Sequence, residues 1–261
     1  MWEGRRYIVQ SNWKMYKNHR EALEWIHGLG RASSELSPAI ELIVCVPFIH
    51  LRSVAEAARE YPLISAGAQN AYWDEAGAYT GEISAPMIAD AGGRYCVVGH
   101  SERRVYFGEN DELVNRKTHV LLKHGIRPIV CIGESIRQRE MGLTLNQIER
   151  QVITCFAGLS HQEMKDTVVL YEPIWSIGTG ENATPRQAQE AHHFVREMLG
   201  RMFSPKTAGF TRIMYGGSVK HHNVTEMIQG EDIDGVGAGS GSLDIEEFLQ
   251  IVRACWASKG V

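Results

Sequence analysis

Short apolar runs alternate with amphipathic stretches from one end of the chain to the other. The runs are Tyr7–Asn12, Glu41–Val46, Leu63–Ala66, Tyr95–His100, Arg127–Gly133, Val168–Pro173, Thr211–Gly217 and Asp234–Gly239. They are nearly continuous in apolar character, as parallel strands buried on both faces must be. Between them the spacing predicts helices with readable starts. Asn18 and Glu21 form a capping-box pattern ahead of Trp25, Ile26 and Leu29, and Thr144 with Gln147 repeats it. Thr184-Pro185-Arg186-Gln187 adds proline at the first helical position. Asp244 with Glu247 opens the last helix, where Phe248, Ile251, Val252 and Cys255 recur at helical spacing. Eight strand–helix units in 261 residues predict an α/β protein folded as a closed (β/α)8 barrel, one domain over residues 1–261. An open doubly wound sheet could use the same units, and periodicity alone does not separate the two.

Composition removes several function classes. A net charge of -4, with no basic stripe interleaved with aromatics, gives no electrostatic reason to expect nucleic acid. After Arg5-Arg6 a short apolar run ends at Gln10, too soon for a signal-peptide core. No apolar run approaches the roughly 18 residues that cross a bilayer. The expectation is a cytoplasmic protein with no nucleic-acid or membrane partner. Of the five cysteines, Cys45, Cys96 and Cys131 lie in strand-like runs and Cys155 and Cys255 in helical ones, which predicts buried thiols rather than disulfides. His192-His193 and His221-His222 are adjacent pairs that point to different helix faces, and neither HExxH nor CxxC occurs. No metal and no cofactor are expected.

In a barrel the C-terminal strand ends share one mouth. Those ends supply Asn12 and Lys14 after the first strand, His100 after the fourth and Glu172 after the sixth. Gly216-Gly217-Ser218 follows the seventh strand, and Gly239-Ser240 the eighth. Glu172 ends an apolar run and is followed by Pro173, an apolar stretch and a Gly178-Thr179-Gly180 hinge. That is how a base on a rigid strand and a closing lid would be written, although a strand with a Gly-rich turn reads the same way. A single histidine is more often hydrogen-bonded in place, and a single lysine more often a solvated surface group. Together at one mouth they suit proton transfer beside a carbonyl: a carboxylate takes a carbon-bound proton, a neutral imidazole donates to the enediolate, and a lysine supplies positive charge. Backbone N–H groups in the last two loops suit a phosphate. The chemistry expected is aldose–ketose isomerisation of a small phosphorylated sugar.

Six stretches carry a resemblance: Ser11-Asn12-Trp13-Lys14-Met15, Gly67-Ala68-Gln69-Asn70, Gly77 to Ser84, Val98-Gly99-His100-Ser101-Glu102-Arg103-Arg104, Tyr171 to Gly180, and Tyr215-Gly216-Gly217-Ser218-Val219. In this order, and over essentially the whole chain, the sequence resembles the triosephosphate isomerase family. The resemblance implies the TIM-barrel architecture and a reaction interconverting dihydroxyacetone phosphate and glyceraldehyde 3-phosphate. It implies Glu172 as base, His100 as electrophile, Lys14 as electrostatic clamp with Asn12 beside it, and Glu102 holding Lys14. Backbone N–H groups of Gly178, Ser218, Gly239 and Ser240 would bind the phosphate. Cys131 and Glu134 match a family stretch near the site, with Cys131 read as packing. The segment 70–82 resembles a loop that reaches into a second copy, placing Thr80 near Asn12 and Lys14 there, which implies a homodimer.

The match departs at the eighth strand. Where the family commonly reads Phe-Leu-Val-Gly-Gly-Ala-Ser-Leu, this chain has Val236-Gly237-Ala238-Gly239-Ser240-Gly241-Ser242-Leu243. Gly237 stands in place of a leucine that in the family closes over the glutamate together with the isoleucine matching Ile177. Ser240 replaces one glycine of a pair. Ser11, Tyr16 and Trp73 are milder departures. The gap at Gly237 raises an alternative, a tetrulose-phosphate isomerase of the L-erythrulose 1-phosphate type with the same catalytic set. A non-catalytic phosphate-binding barrel is a third reading, against which stand the base, the imidazole and the hinge.

Overall fold

The computed structural model describes residues 5–177 and 182–259. Eight parallel strands pair in chain order and close on themselves: β1 (Tyr7–Asn12), β2 (Ile40–Val46), β3 (Ile64–Ala68), β4 (Tyr95–Val98), β5 (Arg127–Ile132), β6 (Val168–Tyr171), β7 (Arg212–Tyr215) and β8 (Gly235–Ala238). The ladder of β1 runs from Tyr7↔Ile40 to Asn12↔Cys45 on one side. On the other side it runs from Ile8↔Gly235 to Ser11↔Ala238, and this pairing closes the barrel and excludes the open sheet.

Alternation along the strands divides the core in two. Ile8, Ile43, Val97, Ile129, Leu170 and Met214 belong to the cluster that fills the barrel. Their strand neighbours, such as Val9, Leu42, Val130 and Val169, pack outward against the helices with Trp25, Leu29 and Phe248. Burial on both faces is why the runs are continuously apolar. The end of the barrel away from the strand C-termini is closed by charge. Glu41 Oε1 accepts from Tyr95 Oη at 2.7 Å, Glu41 Oε2 accepts from Arg212 at 2.8 Å, and Arg127 donates to Tyr95 Oη at 3.2 Å.

Several strand ends differ from the sequence expectation. The runs predicted to reach His100, Gly133, Pro173 and Gly217 stop pairing at Val98, Ile132, Tyr171 and Tyr215. Gly99 turns the chain out of β4 with φ 72°, and Pro173 has no N–H to offer a ladder. The third strand lies at Ile64–Ala68, displaced toward the C-terminus from Leu63–Ala66.

The capping box at Asn18 forms: Glu21 N donates to Asn18 Oδ1 at 3.0 Å and Asn18 N to Glu21 Oε2 at 2.8 Å. Thr184 and Gln187 form another, with Pro185 at the start of the helix. The one expected at Thr144 and Gln147 does not. Leu143 precedes that helix without a side-chain cap, and Gln147 Oε1 instead accepts from Gln138. Ser135 and Gln138 form the box nearby, on the short helix Ile136–Glu140. Asp244 Oδ1 accepts from Glu247 N at 2.9 Å, while the Glu247 carboxylate turns to His221.

All five cysteines are free and buried. Among the described residues, no helix is long and apolar enough to cross a membrane, and no cluster of His, Cys, Asp and Glu could hold a metal ion.

Candidate active site

The loop after β1 bends sharply. Lys14 adopts φ 52°, a left-handed conformation uncommon outside glycine, and its N–H donates to Asn12 Oδ1 at 3.1 Å. This turn carries the lysine back over the barrel mouth, where Nζ donates to Glu102 Oε1 at 2.6 Å. Glu102 stands in the first turn of the helix Ser101–Phe107, directly after β4.

His100 caps that helix. Its Nδ1 accepts from Glu102 N at 3.2 Å, an assignment that leaves the ring proton of the neutral imidazole on Nε2. Nε2 lies 3.6 Å from Glu172 Oε2. Glu172 is 2% exposed, and its carboxylate accepts from Ser101 N at 3.0 Å and from Ser101 Oγ at 3.2 Å. The backbone around it leaves no slack: a Cβ at Gly133 would stand 1.9 Å from Glu172 O. Only glycine lets β5 and β6 approach this closely at their ends.

Glu134 is fully buried and braces the segment that follows Glu172. Its carboxylate accepts from Tyr171 Oη at 3.0 Å, Trp175 Nε1 at 2.9 Å and Arg139 at 3.2 Å. Burial, reinforced by Glu134, pushes the Tyr171 phenol well up. Burial also pushes the Cys131 thiol well up, and the Glu172 carboxylate beside it adds to the shift, so this sulfur stays protonated and acts as packing.

On the opposite rim, Ser218 follows Gly216 and Gly217, and its carbonyl accepts from Asn223 Nδ2 at 2.9 Å. Gly239 leads into the turn Ser240–Ser242, which Ser242 N closes onto Gly239 O at 2.9 Å. Asn12, Lys14, His100, Glu102, Glu172, Ser218, Gly239 and Ser240 all line one cavity of about 670 Å³, joined by Ile177. Of the residues singled out from sequence for this site, Gly178, Thr179 and Gly180, which make up the expected hinge, lie outside the described residues.

Two residues of the cavity region escaped the sequence reading. Ser101 sits inside the Gly99-His100-Ser101-Glu102 stretch, and nothing in the sequence reveals that it holds Glu172. Gln10 lines the cavity too, and a polar residue inside an apolar strand run was its visible signal. The segment 70–82 is a folded loop: Tyr72 N donates to Ile83 O at 2.8 Å, and the Tyr72 ring packs on those of Trp73 and Tyr79 at 4.0 and 4.2 Å.

Fold and cavity together define a (β/α)8-barrel protein whose acid, imidazole and ammonium groups converge at the C-terminal mouth. Residues 7–255 match the model of the family described as Triosephosphate isomerase. The triosephosphate isomerase of Acetivibrio thermocellus is 44% identical over 251 residues, covering 96% of this chain and 98% of that protein. That of Chloroflexus aurantiacus is 45% identical over 246 residues, covering 94% and 98%. The chain belongs to the triosephosphate isomerase family.

Proposed function

We propose that the chain is a cofactor-independent aldose–ketose isomerase, a cytoplasmic single-domain enzyme that interconverts dihydroxyacetone phosphate and glyceraldehyde 3-phosphate. The observation that carries this reading is the meeting of three groups. Glu172 is buried with its carboxylate 3.6 Å from His100 Nε2, and Lys14 Nζ is held at the same mouth by Glu102.

Glu172 removes the proton from the carbon next to the carbonyl. His100 Nε2–H and the Lys14 ammonium stabilise the oxygen that becomes negative, giving an enediolate. The hydroxyl proton passes to the former carbonyl oxygen by way of His100, and Glu172 returns the carbon proton to the neighbouring carbon, so nothing is gained or lost overall. Asn12 supports Lys14 through the loop turn, and backbone N–H groups of Gly178, Ser218, Gly239 and Ser240 hold the phosphate. Two copies pair through the 70–82 loop, with Thr80 of one near the lysine of the other.

The test is Glu172→Gln. Turnover is expected to fall by about a hundredfold or more, while a phosphate analogue such as glycerol 3-phosphate still binds. Unchanged turnover would remove Glu172 from the mechanism.

A further inference from the structure

Strand β8 gives the barrel interior no side chain. Val236 and Ala238 face the helices, and the intervening inward positions are Gly235, Gly237 and, just past the strand, Gly239. A Cβ at Gly235 would stand 2.4 Å from the backbone oxygen of Ile8, so that glycine serves close strand contact. At Gly237 the neighbour is different. A Cβ there would stand 2.8 Å from Gln10 Oε1 and 3.2 Å from Leu170 Cδ1. Gln10 and Gly237 are register partners across the closing seam. The glutamine carboxamide therefore enters the space that any side chain at 237 would take.

Gln10 is 1% exposed and lines the cavity with Val97 and Leu170. A carboxamide offers two donors and two acceptor sites. Among the described residues this one makes a single hydrogen bond, from Nε2 to Cys45 Sγ at 3.3 Å, and its Oε1 makes none. Thiol sulfur is a weak acceptor, and burial pushes the Cys45 thiol up to about 12, so it offers no thiolate. The Gln10 Oε1 is not among the buried atoms left without a partner but belongs to a residue lining the cavity, where a ligand hydroxyl can meet it.

We infer that Gln10 is a specificity-determining residue. Its carboxamide receives a substrate hydroxyl that a triose phosphate lacks, so the pocket also takes a ketose phosphate one hydroxylated carbon longer. Gln10 lies two residues before Asn12 on the same face of β1, about 6.5 Å deeper in the barrel. The phosphate loops are at the mouth, so the added hydroxymethyl group points down beside Gly237. It replaces one hydrogen on the carbon that gives its proton to Glu172. That carbon becomes the carbonyl as its hydroxyl proton passes to the former carbonyl oxygen, the former carbonyl carbon receives the proton from Glu172, and one ketose phosphate becomes its isomer without an outside oxidant. This inference rests on the isomerase reading above.

The experiment measures kcat/KM on dihydroxyacetone phosphate and on both enantiomers of erythrulose 1-phosphate, for the wild type, Gln10→Met and Gly237→Leu. The wild type should turn over one four-carbon enantiomer at a rate within about tenfold of the triose. In either variant the four-carbon to three-carbon ratio should fall by about tenfold or more, as loss of one buried hydrogen bond or of its space predicts. Absence of four-carbon turnover by a wild type that turns over the triose, or an unchanged ratio in both variants, overturns the inference. Calorimetric binding of erythritol 4-phosphate against glycerol 3-phosphate separates the two readings. Gln10-dependent preference for the tetritol phosphate without turnover of any sugar would overturn the isomerase reading alone. Triose turnover with no Gln10 dependence in turnover or binding would overturn only the role of Gln10.

Discussion

Lys14 combines an unfavourable backbone with a favourable position. A non-glycine residue at φ 52° costs on the order of 1 kcal/mol. What the turn secures is an ammonium at the cavity, fixed at 2.6 Å by Glu102. That pair is partly open to solvent, with the Glu102 side chain 41% exposed, so it adds little to stability and much to placement. Glu102→Ala should therefore lower kcat/KM by about tenfold to a hundredfold through mispositioned Lys14. The thermal midpoint should move by only about 2–4 °C, as for roughly 1 kcal/mol in a protein of this size. A large drop in midpoint with an equal loss of soluble protein would make Glu102 a structural residue.

The helix that begins at Ser101 is the element on which His100, Ser101 and Glu102 depend, and a buried charge network sets its position. Glu109 Oε1 accepts from Gly99 N at 2.7 Å, and Oε2 accepts from Arg103 at 2.8 Å and from Lys117 at 2.7 Å. Lys117 continues to Asn70 Oδ1 at 2.8 Å, at the root of the 70–82 loop. Glu109→Gln leaves the buried Lys117 without a counter-charge, and should cost about 3–5 kcal/mol, read as a lower urea midpoint.

The same network gives the protein an acid limit. Burial alone would raise the Glu109 carboxyl, but Lys117, Arg103 and the Gly99 N–H outweigh it and hold it below its ordinary 4.5. A depressed carboxyl stabilises the fold fully above its unfolded value, and that stability is lost as pH falls through the folded value. Unfolding midpoints measured against pH should thus fall more steeply below 4.5 in the wild type than in Glu109→Gln. Parallel curves would show that Glu109 is not a source of the acid limit.

At the scale of the whole molecule, the mouth of the barrel is ringed by apolar groups that a solitary copy would leave in water. Met15 is 93% exposed and Phe107 68%, with Tyr16, Val105 and Tyr106 also exposed. Patches of this kind mark interaction surfaces, and the 70–82 loop is packed on its own aromatic rings. In the homodimer proposed above this loop joins the two copies, so Thr80→Arg, at the exposed tip, should shift sedimentation from dimer to monomer. It should also lower kcat/KM by about a hundredfold, since in that proposed pairing the second copy holds the Lys14 loop in place. A variant that stays dimeric and fully active would remove the loop from the interface.

The order of elements, the composition of the mouth and the burial of the thiols are all legible along the chain. Hydrophobic periodicity and strand-end residues are local properties, and each can be read without knowing its neighbours. What depends on neighbours is not legible there: Gln138 claims Gln147 and the box expected at Thr144 does not form, and strands end where a pairing partner does. Packing alone sets the closure of β1 on β8, the hold of Ser101 on Glu172, and the approach of the Gln10 carboxamide to Gly237. Those contacts join residues 71 and 227 positions apart, and the free energy that selects them belongs to the packed barrel rather than to either local segment.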